Sequence, residues 1–269
     1  MAAGVTELSG ALNFRDVAES AGVRPGRLFR SGELSRLDDD GRDALRRLGV
    51  ADVADLRSRR EVERRGPGRV PDGVDIHLLP IPDLAADHDG DSPHEHAFTR
   101  LMTDKPGDES ISDAAARYMV DEYRRFPTYA GTQRALRRVV SLLADGRPVL
   151  AHCFAGKDRT GFMIAVLLEA AGVERDAVLA DYLRSNDAAA GLRDRILEMI
   201  RQRSDTELTE EVVTFTEARL SDEVLGVRVE YLDAARQTID AAFGSLDGYL
   251  RDAGITDADV DRLRDTLLG

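Results

Sequence analysis

The chain has 269 residues, with 37 Lys+Arg against 50 Asp+Glu and a net charge of −13. Apolar residues at 42% and charged residues at 32% describe a folded globular protein long enough to bury a substantial core. The acidity argues against nucleic acid as a partner, no apolar run approaches the ~20 residues of a membrane span, and the single cysteine excludes an internal disulfide or a zinc site built from several thiolates. The stretch Met1 to Gly10 lacks the basic and apolar regions of a secretory signal, so a cytoplasmic location is the expectation. Arg27 to Arg30, after the Pro25-Gly26 turn, has the pattern of a strand. Leu37 to Leu48 follows as a helix with Leu37, Ala44, Leu45 and Leu48 on one face, stopped by Gly49. Strands are expected at Val50–Leu56 and Val74–Leu79, and their alternation with helices suggests parallel pairing. Residues 87–113 are polar and loop-like; the crowd of His and Asp there lacks a fixed ligand spacing and is assigned no metal site. Ala114 to Phe126 and Tyr129 to Ala144 read as helices, the second with Leu136, Val139, Val140 and Leu143 along one stripe. Val149 to Cys153 is a short buried-strand pattern, and a helix from about Thr160 to Ala171 closes at Gly172. Helices are expected at roughly 174–185, 188–203, 205–221, 226–243 and 256–268. No linker divides the chain, and one domain over residues 1–269 is expected.

Only two of the cations are lysines, Lys105 and Lys157, and Lys157 lies four positions from the sole cysteine, Cys153. Both fall in His152-Cys153-Phe154-Ala155-Gly156-Lys157-Asp158-Arg159-Thr160-Gly161, between a strand and an apolar helix. A chain turning tightly there directs its amides and the positive end of the helix onto one point, forming an anion cradle of phosphate size from Phe154, Ala155, Gly156 and Lys157. A thiol at the floor of such a cradle is held as a nucleophilic thiolate. Arg159 offers a planar fork to two phosphoryl oxygens, strongest in the transition state, and Thr160 can donate its hydroxyl to the sulfur as it leaves. A nucleotide-binding P-loop does not fit, because Gly156-Lys157 is followed by Asp158 rather than Ser or Thr. Two other readings of the loop are a module that binds phosphate esters without turnover and a sulfurtransferase that carries a persulfide on Cys153. None of the three readings calls for a metal or cofactor.

His152 through Gly161 resembles the signature loop of the cysteine-dependent protein tyrosine phosphatases. The wider chain resembles the bacterial tyrosine/serine phosphatase family, nearest to the protein tyrosine phosphatase B type of mycobacteria. Asn13-Phe14-Arg15-Asp16-Val17, Pro25 through Ser31, Asp55-Leu56-Arg57-Ser58 and Asp181 through Asn186 carry that likeness. The resemblance implies an α/β fold, a four-stranded parallel sheet flanked by helices, with a helical C-terminal lid at roughly 205–243. It further implies phosphoprotein substrates bearing phosphotyrosine or phosphoserine/threonine, phosphoinositides for some members, and export by a non-classical route for several. The proton for the leaving group has two candidate donors. Asp83 follows Pro82 in a loop after the third expected strand. Asp158 lies within the cradle and is favoured by the resemblance; the helix end and Arg159 favour its carboxylate, a thiolate and a bound dianion its protonated form. Lys157 is either a second cation for an additional anionic group of the substrate or a solvent-facing charge.

Overall fold

The computed structural model describes residues 7–82, 110–203 and 220–269. Strands β1 (Arg15–Asp16), β2 (Leu28–Ser31), β3 (Asp52–Asp55), β4 (Asp75–Leu78) and β5 (Val149–His152) form one sheet in the order β1-β2-β5-β3-β4. The last four are mutually parallel, as expected, and β1 adds an antiparallel edge whose two residues are too few to show any alternation in sequence. The strand leading to the cysteine is thus central. Ser31, His152 and Asp55 are paired across β2, β5 and β3, so the loops that follow these strands converge at one edge. Ligands of open parallel sheets bind outside the carboxyl ends of the strands.

Side chains alternate across this sheet with period two. Leu28, Ala54, Val149 and Ala151 face the larger core, and Phe29, Val53 and Leu150 face the smaller one. The smaller core is covered by α2 (Asp39–Leu48), whose Asp38 side chain caps the Gly41 amide at 2.9 Å and whose end is a left-handed Gly49. The larger core is built from α4 (Ile111–Arg125), α5 (Ala130–Ala144), α6 (Asp158–Ala171), α7 (Arg175–Leu183), α10 (Val229–Phe243), α11 (Leu246–Asp252) and α12 (Asp257–Leu267). The stripe Leu136, Val139, Val140 and Leu143 of α5 is buried there as its spacing predicts. Helix α8 (Ala189–Arg203) and the short α9 (Asp222–Leu225) enclose a separate apolar cluster of Leu192, Leu197, Leu220 and Leu225.

Four short helices escape the sequence pattern: α1 (Ala18–Ala21), α3 (Arg59–Arg65), α9 and α11. Helix α3 buries none of its residues, so it has no apolar periodicity to detect. It is nucleated by a capping box, the Ser58 side chain accepting from the Glu61 amide while the Glu61 carboxylate accepts from the Ser58 amide. Of the span expected to form a lid, residues 205–219 lie outside the described residues. Its 229–243 part is α10, which buries Tyr231, Leu232, Ala235 and Ile239 against α4 and the rest of the core. Asp83 and the His/Asp-rich stretch also lie outside the described residues. Among the described residues no helix is long and apolar enough to cross a membrane.

Candidate active site

The loop from Cys153 to Lys157 leaves the central strand and enters α6 at Asp158, with no side-chain cap on the helix. Its backbone is held from behind. The Phe154 carbonyl accepts from the Glu33 amide at 3.0 Å, and the His152 carbonyl accepts from the Leu56 amide at 2.8 Å. Asn13 Nδ2 donates to the carbonyls of Ala155 (3.3 Å) and Gly156 (3.0 Å), and Arg30 Nη2 donates to that of Gly156 at 2.8 Å. A trans peptide points its N–H opposite to its C=O, so pinning these carbonyls outward turns the next amides inward. Among the described residues nothing accepts from the amides of Phe154, Ala155, Gly156 or Lys157. They are donors held in place without an acceptor, which is what an incoming anion needs.

Gly156 allows the turn. Its φ is +70°, and a Cβ there would lie 2.3 Å from the Ser31 carbonyl oxygen. Gly156→Ala therefore has to displace the loop from β2. We expect kcat/KM to fall by about 100-fold or more, as a displacement near 1 Å does at a catalytic centre, with a loss of roughly 1–3 kcal/mol in thermal unfolding. Activity close to that of the parent protein would show that the loop does not depend on this contact.

The anchors are themselves anchored. Arg15 Nε and Arg30 Nη1 both donate to the buried Asp181 carboxylate, the first at 2.9 Å, and both guanidinium groups reach Ser185 Oγ, at 3.3 and 3.1 Å. Burial would push the Asp181 carboxyl up, but Arg30 and Arg15 outweigh it and hold the group below the usual carboxylate range. On the other flank, Arg57 Nη2 donates to Asp55 Oδ2 at 2.7 Å, and Glu33 accepts from Arg57, Arg65 and Arg195. Arg65 also lies over the Phe154 ring, 4.0 Å from its centroid. Phe154 and Ala155 pack onto the α8–α9 apolar cluster. Burial pushes the His152 imidazole down; its Nδ1 meets the Cys153 carbonyl at 3.2 Å and its Nε2 is 3.6 Å from Asp55 Oδ1.

Cys153 is buried at the base of the loop. Arg159, the second residue of α6, is gripped by a residue with no role assigned from sequence. Its Nη1 and Nη2 donate to the two carboxylate oxygens of Glu61 at 2.6 and 2.8 Å, and Nη1 also reaches the carbonyls of Leu56 and Ile81. Burial works against this charge, but Glu61, Cys153 and Asp158 overcome it and hold the guanidinium firmly protonated. With Nη1 committed, Nε and the second hydrogen of Nη2 form the edge left for two oxygens of a phosphoryl group. The Ser-x-x-Glu spacing of Ser58 and Glu61 was the available signal for this partner, since it places the carboxylate at the start of a helix that follows β3.

Asp158 Oδ1 accepts from Lys157 Nζ at 2.7 Å and from Tyr123 Oη at 3.1 Å. Lys157 is only 5% exposed and donates also to the Gly226 carbonyl at 3.2 Å, which overturns the reading of it as a solvent-facing charge. Gly226 and Val227 are in turn fixed by Asn186, whose Oδ1 accepts from the Val227 amide at 2.7 Å. The Thr160 hydroxyl is fully buried without a hydrogen-bond partner, so the expected bond to the Cys153 sulfur is not formed in this structure.

A thiol, a run of loop amides without an acceptor and a fixed guanidinium edge, gathered in one segment, are the parts of a phosphoryl-transfer enzyme of the cysteine-dependent phosphatase class. Residues 6–269 match the model of the tyrosine phosphatase family, and the chain belongs to that family. It is 69% identical to the triple specificity protein phosphatase PtpB of Mycobacterium tuberculosis, over 98% of this chain and 99% of that protein. A protein of Cupriavidus necator is 34% identical over 94% of this chain and 84% of its own length. A tyrosine-protein phosphatase of Nostoc commune is 25% identical over 87% and 72%. The enzyme is therefore a phosphatase acting on phosphate monoesters, and the idle-binding and sulfurtransferase readings fall away.

Proposed function

We propose that Cys153 is the nucleophile, Arg159 and the loop amides the phosphoryl-binding groups, and Asp158 the general acid. The thiolate attacks phosphorus in line; the ester P–O bond breaks, and its electron pair leaves on the ester oxygen, which takes a proton from Asp158. Water then attacks the phosphocysteine, giving its proton to the Asp158 carboxylate, and the S–P bond breaks to release inorganic phosphate and regenerate the thiolate. The observation that carries this reading is the set of outward-pinned carbonyls above Cys153 with Arg159 locked beside them.

The same reading extends to substrate range: phosphotyrosine, phosphoserine/threonine and phosphoinositides. The near-full-length identity to a protein named for triple specificity supports that breadth. A panel of phosphotyrosine peptide, phosphoserine peptide and phosphoinositide vesicles tests it, with phosphate release expected from all three. Release from the phosphotyrosine peptide alone would sink the wider range. Asp158→Asn separates the acid from the nucleophile. Alkoxide leaving groups need the proton and activated phenoxides do not, so we expect losses of about 10²–10³-fold on phosphoserine and less than about tenfold on para-nitrophenyl phosphate. Equal losses on the two substrates would remove Asp158 from the role.

A further inference from the structure

Behind Asp158 lies a chain of buried hydroxyls that the steps above do not use. Tyr182 Oη, from α7, donates to Tyr123 Oη at 2.8 Å, and Tyr123, from α4, donates to Asp158 Oδ1 at 3.1 Å. Both tyrosines are fully buried, and their rings meet edge to face with centroids 6.3 Å apart. Tyr123 also touches Phe126 and Tyr231, at 4.9 and 5.7 Å between centroids, so its ring is fixed on several sides. Burial first, then Tyr182 and Asp158, push the Tyr123 phenol well above its ordinary value, so it remains a donor at any working pH. Asp158 is faced besides by Tyr118 and Glu122 of α4, Tyr231 of α10 and its chain neighbours Lys157 and Arg159.

We infer that Tyr123, oriented by Tyr182, is a positioning residue for proton donation by Asp158. Oδ1 is occupied by two donors, the Lys157 ammonium and the Tyr123 hydroxyl. A proton placed on Oδ1 would confront both; on Oδ2 it confronts neither. The two donors therefore select Oδ2 as the oxygen that carries the acid proton and fix the rotation of the carboxyl plane. When that proton passes to the leaving oxygen, the charge left on the carboxylate is met by hydrogen bonds already in place. The tyrosines touch no substrate atom in this scheme and act only through Asp158. The inference rests on Asp158 being the general acid, as proposed above.

The test is kcat/KM for the full-length protein over a series of aryl phosphates of decreasing leaving-group acidity, ending in a phosphoserine peptide. Tyr123→Phe should leave para-nitrophenyl phosphate within about threefold of the parent and cost roughly tenfold on phosphoserine, a fraction of what a whole general acid supplies. Tyr182→Phe, which leaves the Tyr123 hydroxyl in place but unsupported, should show the same selectivity at smaller amplitude. In an Asp158→Asn background, Tyr123→Phe should cost nothing further, because residues acting through one group are not additive. Uniform losses along the series, or a full additional loss in the Asp158→Asn background, would overturn the positioning role while leaving Asp158 as the acid. If Asp158→Asn itself shows no leaving-group dependence, the acid assignment fails and the positioning role with it.

Discussion

Cys153→Ser should have no useful turnover, with kcat lowered by about 10⁴-fold or more, while binding of a phosphate ester persists. The two outcomes have separate causes in the site. Turnover needs a nucleophile that reacts without a partner base, because among the described residues no side chain is hydrogen-bonded to the sulfur. His152, next to the cysteine in the chain, directs Nδ1 at the Cys153 carbonyl and Nε2 toward Asp55. A serine hydroxyl in that place has nothing to take its proton and remains a poor nucleophile. Binding depends instead on the loop amides and the Arg159 edge. These are fixed by hydrogen bonds from Asn13 and Arg30 and by the Arg159–Glu61 pair, and none of these bonds is made by the substituted atom. Titration calorimetry with a phosphorylated peptide, alongside initial rates, measures both. Residual activity above about one per cent of the parent would show that sulfur is not the reacting atom.

Arg159→Lys should cost about 10³-fold in kcat although the charge is kept. The guanidinium serves two carboxylate oxygens of Glu61 on one edge, and in the proposed mechanism it serves two phosphoryl oxygens on the other. An ammonium is a point donor and cannot span both edges at once. Lysine bound to Glu61 abandons the phosphoryl group, and lysine bound to the phosphoryl group leaves Glu61 partly buried with its main partner gone. The bidentate contact counts most on the equatorial oxygens of the transition state, so kcat should fall more than KM rises. A loss confined to KM would mean that Arg159 only captures substrate. Measuring both parameters on an aryl phosphate decides between them.

What could be read from the chain follows how local each interaction is. The strand Val149–His152, the glycine-bearing loop and the apolar helix after it are contiguous, and the structure places them as a strand, turn and helix at the centre of the sheet. Gly156 could be picked out because its requirement is set by its own backbone. Glu61 offered only its capping-box spacing from Ser58; its grip on Arg159 was not legible, since a carboxylate in Arg59-Arg-Glu-Val-Glu-Arg-Arg65 looks like any solvated helix face until Arg159 is folded against it. Tyr123 and Tyr182 were legible as helix residues, but only the folded core, where their rings meet, brings their hydroxyls together. Lys157 could not be placed from sequence because a lysine is rarely buried, and here Asp158 and the Gly226 carbonyl make burial tolerable, which removes only the solvent-facing alternative. Arg15, Arg30 and Asp181 stood within the quoted family segments; their task as a scaffold for the loop became visible only in three dimensions.

The hydrogen bond from Arg30 to the Gly156 carbonyl closes a span of 126 residues, and that from Arg15 to Asp181 closes 166. Such closures carry an entropic cost, because long loops must be drawn together before any bond rewards them. The hollow is accordingly a property of the finished architecture and not of the ten-residue segment that names it. Transplanting that segment into a foreign scaffold would carry over the reagents but not the clamp that aims them. An engineer seeking this chemistry elsewhere would have to import, beside that segment, the stretches that carry Asn13, Arg30, Glu61 and Asp181, and the host would have to bring them to a common rim.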